Sequence, residues 1–108
     1  MDKVNLIFEA LSSTPRRRIL NYLSATDLTA GEIAERFEMS KPALSKHLKI
    51  LEMAGLVTSN KKGQYVYYRL IRENLVNSLY DFTANFCPVG SQIKKESKSL
   101  LKDRKDHE

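Results

Sequence analysis

Residues 40–70, SKPALSKHLKILEMAGLVTSNKKGQYVYYRL, constrain the fold more than any other part of this 108-residue chain. The stretch opens on Ser40, whose hydroxyl suits a helix N-cap. Stepping about 100° per residue from Leu44 brings Leu48 and Leu51 within about 40° of it, whereas Pro42, Lys46 and Lys49 fall within about 40° of the opposite direction. Ala43 and Ser45 flank that second group. One side of the helix is leucine; the other is short or cationic. The helix runs to about Ala54 and stops at Gly55, because glycine takes the left-handed backbone of a helix end at little cost. His47, about 60° from the leucine line, reads as a boundary residue hydrogen-bonded to the protein rather than as a ligand or base.

After Gly55, the valine- and tyrosine-rich segments LVTSN and QYVYYRL are separated by Lys61-Lys62-Gly63, where glycine supplies the positive φ of a hairpin turn. This predicts a two-stranded ribbon with a basic tip. Val66, Tyr68 and Leu70 share one face and can pack on the helices, while Tyr65, Tyr67 and Arg69 share the other and stay partly wet. Tyr65 and Tyr67 also have the chemistry to stack on bases, but an amphipathic ribbon explains them at less cost. Charge gathers in the same stretch: residues 41–72 hold seven basic groups and one acidic group, net +6, when the whole chain is +5. A cationic helix face followed by a basic hairpin tip points to DNA, with the helix in a groove and the tip on phosphates.

Elsewhere the periodicity is mostly helical. Val4, Ile7, Phe8 and Leu11 fall on one face of residues 2–11, with Asp2 near the positive end; such a stripe is ordinarily core. Thr14 and Pro15 read as N-cap and first residue of a helix that continues to about Ser24 and buries Ile19, Leu20 and Leu23. Arg16, Arg17 and Arg18 occupy its first turn, where the macrodipole disfavours cations. Two readings stand for them: they face phosphates or a carboxylate, or at least two are simply solvated. Ala25-Thr26-Asp27 is a connection. Thr29 and Glu32 form a capping box for a helix with the stripe Ala30, Ile33, Ala34 and Phe37, and Glu38-Met39 is a turn of helix-turn-helix length. From about Arg72 to Phe86, Leu75, Leu79, Phe82 and Phe86 recur at spacings of four, three and four, until Cys87-Pro88-Val89-Gly90 stops the helix. Two terminal amphipathic helices exceed what one small core covers, so the first and last helices are expected to pair with their copies in a dimer. Residues 91–108 mix charges with few apolar residues and read as a frayed helix or a mobile tail.

A composition 42% hydrophobic and 29% charged is that of one small globular domain. No apolar run approaches the roughly 18 residues of a membrane span, and the first ten residues lack an export pattern, so the expected place is the cytoplasm without membrane insertion. The single cysteine, Cys87, excludes an internal disulfide framework and a zinc site built on several thiolates. The remaining donors, His47, His107 and scattered carboxylates, lack the close spacing of ligands, so neither a metal nor another cofactor is expected. A reversible disulfide would need two Cys87 residues brought together in a dimer; otherwise Cys87 reads as a buried small apolar side chain. With no glycine-rich phosphate loop, activated nucleophile or apolar carboxylate pair, an enzyme is not expected.

Three pieces, FEALSSTPRRRIL, LTAGEIAERFEMSKPALSKHLKILEMAGLV and KKGQYVYYRL, resemble the ArsR/SmtB family of bacterial winged-helix repressors over roughly residues 4–86. The serine, the two leucines and AGLV of the middle piece are the most specific part. The resemblance implies a mainly α fold with a small β-hairpin: four helices, two strands and a fifth helix. It also implies a homodimer with the fourth helix as recognition helix, the hairpin as wing and the terminal helices as interface. The family's sensing motifs do not carry over. Where metal-sensing members have cysteines, this chain has Thr26-Asp27-Leu28-Thr29-Ala30-Gly31, and its last helix offers Asp81 without histidine. Paired redox cysteines are absent from the sequence too. TAGEIAE, SKPALSKHL and KKGQYVYY are closer to the metal-independent autorepressors, where relief comes from a sequestering protein partner. Ser13-Thr14-Pro15 stands where the family often has Asp-Pro-Thr, which shifts the start of the second helix.

The resulting expectation is a winged helix-turn-helix domain over residues 1–90 and a charged tail over 91–108. Ser40, Lys41, Pro42, Ser45, Lys46 and Lys49 meet the groove of double-stranded DNA, with Ser45 and Lys46 at base edges. Lys61, Lys62 and Tyr65 touch the flanking minor groove or phosphates, and Arg16, Arg17 and Arg18 give support. Val4, Ile7, Phe8, Leu75, Leu79, Phe82 and Phe86 form the dimer interface. The operator is an inverted repeat read by two helices about 34 Å apart. Two other readings stand beside this one. A ligand- or redox-gated sensor would act through Cys87; a protein-interaction adaptor would use the tyrosine ribbon or basic tail, and is hard to square with the lysine face.

Overall fold

In the computed structural model, whose described residues are 2–87 and 100, helices begin where a side chain holds the first free N–H groups. Asp2 caps α1 (Lys3–Leu11), accepting from Asn5 N at 2.9 Å. Ser13 caps α2 (Thr14–Ala25), accepting from Arg16 N at 3.3 Å. The cap expected at Thr14 is therefore one residue late. Thr14 is already helical, and Pro15 follows in the first turn, where its missing N–H has no intrahelical partner to lose. Thr29 ends a two-residue strand, β1 (Leu28–Thr29), and caps α3 (Ala30–Ala34) through the expected reciprocal box, Glu32 N to Thr29 Oγ1 at 3.1 Å and Thr29 N to Glu32 Oε1 at 3.0 Å. α3 stops after five residues, short of the stripe drawn through Phe37. Phe37 instead packs edge-on against Tyr22 of α2, centroids 5.7 Å apart.

Ser40 caps α4 (Lys41–Met53), accepting from Ala43 N at 3.3 Å. Leu44, Leu48 and Leu51 are buried as the stripe requires. The helix closes on Gly55, whose φ of +75° lets Gly55 N reach Glu52 O at 2.9 Å and Leu56 N reach Leu51 O at 3.0 Å. That pair of bonds is a Schellman motif, and its usual apolar contact is available because Leu51 and Leu56 are both fully buried.

β2 (Val57–Lys62) and β3 (Tyr65–Leu70) form the hairpin, in a sheet of order β1-β3-β2. Two expectations are corrected. The connection before the third helix contains a strand: Leu28 pairs with Tyr68 and Thr29 with Tyr67. Lys61 and Lys62 lie in β2, paired with Val66 and Tyr65, so the turn is the two residues Gly63-Gln64. Gly63 has φ +64° and is the only residue of the turn on the positive side, the pattern of a type II′ hairpin. Tyr68 and Leu70 pack on the core, whereas Val66 on the same face stays exposed, because the ribbon extends past the helices.

The described residues divide into two units, one ending at Leu75 and one beginning at Val76. In the first, Ile7, Ala10, Ile19, Leu20, Leu23, Leu28, Ile33, Leu44, Leu48, Leu51, Ala54, Leu56 and Val57 make one core. Ile7 is 1% exposed, so it serves the protomer's own interior rather than the dimer surface assigned to it, while Leu75 is half-buried with part of its side chain against that cluster. Val4 and Phe8, on the same helix as Ile7, are exposed. α5 (Arg72–Ala84) has no buried residue; Leu79 is half-buried, and Phe82 and Phe86 are exposed, their rings 5.2 Å apart. The helix ends before Phe86, which turns back through Phe86 N to Thr83 O at 2.9 Å. Cys87 is exposed rather than buried. Pro88 to Gly90 and, Leu100 apart, the proposed tail lie outside the described residues.

Candidate nucleic-acid interface

The leucine stripe fixes the roll of α4, and its outward side follows. Ser40, Lys41, Pro42, Ser45, Lys46 and Lys49 are all exposed. Five of the six are within the first two turns or the cap, where small side chains such as Ser40 and Ser45 let a helix approach a groove floor. Lys41 and Ser45 also border a shallow cleft toward α3, lined by Ala30, Gly31, Ala34 and Leu44. On the hairpin, Lys61, Lys62 and Tyr65 are exposed, and the Lys62 ammonium lies 5.7 Å from the Tyr67 ring centre. The register thus keeps the basic tip clear of the core.

The three arginines separate. Arg16 is only 9% exposed. It donates from Nε to Ala10 O at 2.9 Å, from Nη2 to Glu9 O at 3.0 Å and from Nη1 to His47 Nδ1 at 3.1 Å. It is not a surface phosphate contact, and its assignment as one is corrected. The placement that conflicts with α2's own dipole is favourable for α1, since Glu9 and Ala10 present the free carbonyls of α1's last turn. Arg17 is exposed and donates to Leu11 O at 2.6 Å and Thr14 Oγ1 at 3.2 Å. Arg18 lies over the Phe37 ring at 4.6 Å.

His47 is the half-buried boundary residue expected, and Arg16 is its partner. Burial, then the positive charges of Arg16 and Lys46, push its imidazole below the ordinary value. Burial and the Glu52 carboxylate push the Tyr68 phenol up. Arg69 braces β3 to the segment before β1 through Asp27 Oδ2 at 3.2 Å, a link that periodicity alone did not reveal. Arg72 donates to Ser24 O, and Asn74 Nδ2 to Gly55 O at 2.8 Å, so the start of α5 is tied to the ends of α2 and α4. Among the described residues, no three His, Cys, Asp or Glu side chains gather as a metal site, and no helix is long and apolar enough to cross a membrane.

A helix-turn-helix followed by a two-stranded wing, with cations on the outer helix face and wing tip, defines the winged-helix class. Residues 13–59 match the family described as "Bacterial regulatory protein, arsR family". The transcriptional repressor SdpR of Bacillus subtilis is 42% identical over 87 residues, covering 81% of this chain and 96% of that protein. An ArsR-like transcriptional regulator from Rhodococcus sp. RHA1 has a TM-score of 0.73 at 30% identity, covering 96% of this chain and 88% of that one. The homodimeric winged helix-turn-helix DNA-binding domain of Mycobacterium bovis Mb0332 has a TM-score of 0.64 at 25% identity, over 83% and 89% of the two chains. The chain belongs to the ArsR family. It is a winged-helix transcriptional regulator and not an enzyme.

Proposed function

We propose that the protein is a repressor that binds an inverted-repeat operator as a homodimer and acts on its own promoter in the cytoplasm. The observation carrying this reading is the two-sidedness of α4: Leu44, Leu48 and Leu51 are fixed in the core while Ser45, Lys46 and Lys49 face outward. Ser45 and Lys46 read base edges; Ser40, Lys41, Pro42 and Lys49 fit the groove and its phosphates. Lys61, Lys62 and Tyr65 touch the flanking DNA, and Arg17 supports the backbone contact. Val4 and Phe8 of α1, Leu79 and Phe82 of α5, and Phe86 just beyond it form the dimer contact. Similarity to a named repressor and to a homodimeric DNA-binding domain supports both parts.

The cysteine and histidine–aspartate motifs of metal sensors are missing from the sequence, which favours relief by a sequestering protein over relief by a metal. Fluorescence anisotropy with DNA from the protein's own upstream region, with and without divalent metals and thiol oxidants, tests the proposal. Tight binding that ignores every additive is expected. Release by an oxidant would transfer control to Cys87, and binding no stronger than to random duplex would remove the repressor reading.

A further inference from the structure

Arg16 ties three helices together in a way that depends on one proton. Two of its donors grip the last carbonyls of α1, Glu9 O and Ala10 O, and this fixes the guanidinium plane. Its third contact is Nη1 to His47 Nδ1 at 3.1 Å, on α4. Arginine has no acceptor and stays charged, so Nδ1 of His47 must offer its lone pair and the ring proton must sit on Nε2. A second proton has only Nδ1 to occupy. It would replace an acceptor with a donor and set two cations face to face.

The charges acting on His47 are those of Arg16 from α2 and Lys46 from α4, both positive. From α1, Glu9 contributes its carbonyl to Arg16, and the residue borders a cleft with Leu6, Ile50 and Met53. Glu32 of α3 is engaged in its capping box, and the cations of β2, Lys61 and Lys62, lie at the hairpin end of that strand. His47 directly follows Lys46 and is two residues before Lys49, so its seat governs the helix face proposed to meet DNA.

We propose that Arg16 and His47 are a positioning pair for the recognition helix, seating α4 against the end of α1 only while His47 is neutral, so that acidification weakens operator binding. The pair rests on α4 being the helix that enters DNA. The direction is distinctive, because adding positive charge to a DNA-binding protein ordinarily tightens its hold on phosphates.

At constant ionic strength, the ratio of the wild-type Kd for operator DNA at about pH 5 to that at about pH 7.5 should exceed one, the rise setting in below the ordinary imidazole value of about 6.5 because the folded value is lowered. His47→Asn places a carbonyl oxygen near the Nδ1 position and cannot titrate. Its ratio of Kd values should stay near one, whatever its affinity at the higher pH. A wild-type ratio at or below one, or an Asn variant that keeps the wild-type ratio, overturns the proposal. Nitrogen-15 NMR of the free protein tests it without DNA. The Nε2–H tautomer, with backbone amides of residues 43–49 shifting along the His47 titration, is expected; an Nδ1–H tautomer or unmoved amides overturns the pair. A chain that bound no operator at any pH would refute the repressor reading, while the NMR titration would still decide the pair.

Discussion

α4 and α5 are each 13 residues long, yet they use their apolar side chains oppositely. α4 buries three leucines, and α5 buries nothing. The sequence contains the reason: Leu44, Leu48 and Leu51 span about 60° of the helix, while Leu75, Val76, Leu79, Tyr80 and Phe82 spread over about 160°. A narrow stripe is satisfied by one core. A broad one leaves Val76 and Tyr80 at 61% and 70% exposure. Amphipathicity therefore does not by itself assign a helix to the protomer's interior; the width of the stripe does.

Substitutions in the two helices should behave differently. The largest effect should come from Leu48→Ala, about 2–5 kcal/mol of unfolding free energy in urea at every protein concentration. Equal loss from Phe82→Ala would erase the distinction. Phe82→Ala should instead weaken the proposed dimer by about 2 kcal/mol in sedimentation equilibrium while leaving the protomer's helical signal intact. Ser40→Ala removes the cap that starts α4 and should cost about 1 kcal/mol, read by thermal melting. Outer-face changes should spare stability. Lys62→Ala should lower the slope of log K against log salt by about 1 for all duplexes, whereas Lys46→Ala should also relax preference at one base position. If neither alters binding or its salt dependence, α4 and the wing are not the contact.

The smallest stability effect is His47's. Its folded pKa is depressed, so the unfolded chain binds the proton first on acidification. Its contribution is present above the ordinary imidazole value of about 6.5 and is lost as pH falls through the lowered folded value. His47→Asn should flatten that part of a urea-stability profile against pH.

Local features were the legible ones. The leucine stripe, the Thr29–Glu32 box and the glycine stop each depend on residues within one or two turns, and all three stand as expected. β1 was not legible, since two residues have no period and gain strand geometry only by pairing with Tyr67 and Tyr68. The hairpin's turn was misplaced by its lysines because register comes from cross-strand pairing. Ser12, Ser13 and Thr14 are equivalent as caps on paper. Arg16, by contrast, could have been read: with Ile19, Leu20 and Leu23 at three, four and seven residues on, it belongs to α2's inward stripe. Its partners could not, because the angle between α1 and α2 sets them. Ile7 was misassigned for a similar reason, as burial of Ala10 rotates the inner face of α1 away from Val4 and Phe8.

At the wing tip Lys61 is paired with Val66 and Lys62 with Tyr65. Neighbours along a strand point to opposite sides, so the tip carries one ammonium on each flank, like the two skirts of a saddle. A phosphate ridge passing on either side meets a cation without the ribbon having to twist. On the proposed operator such a wing would tolerate rocking, and loss of one lysine would leave it able to lean on the other.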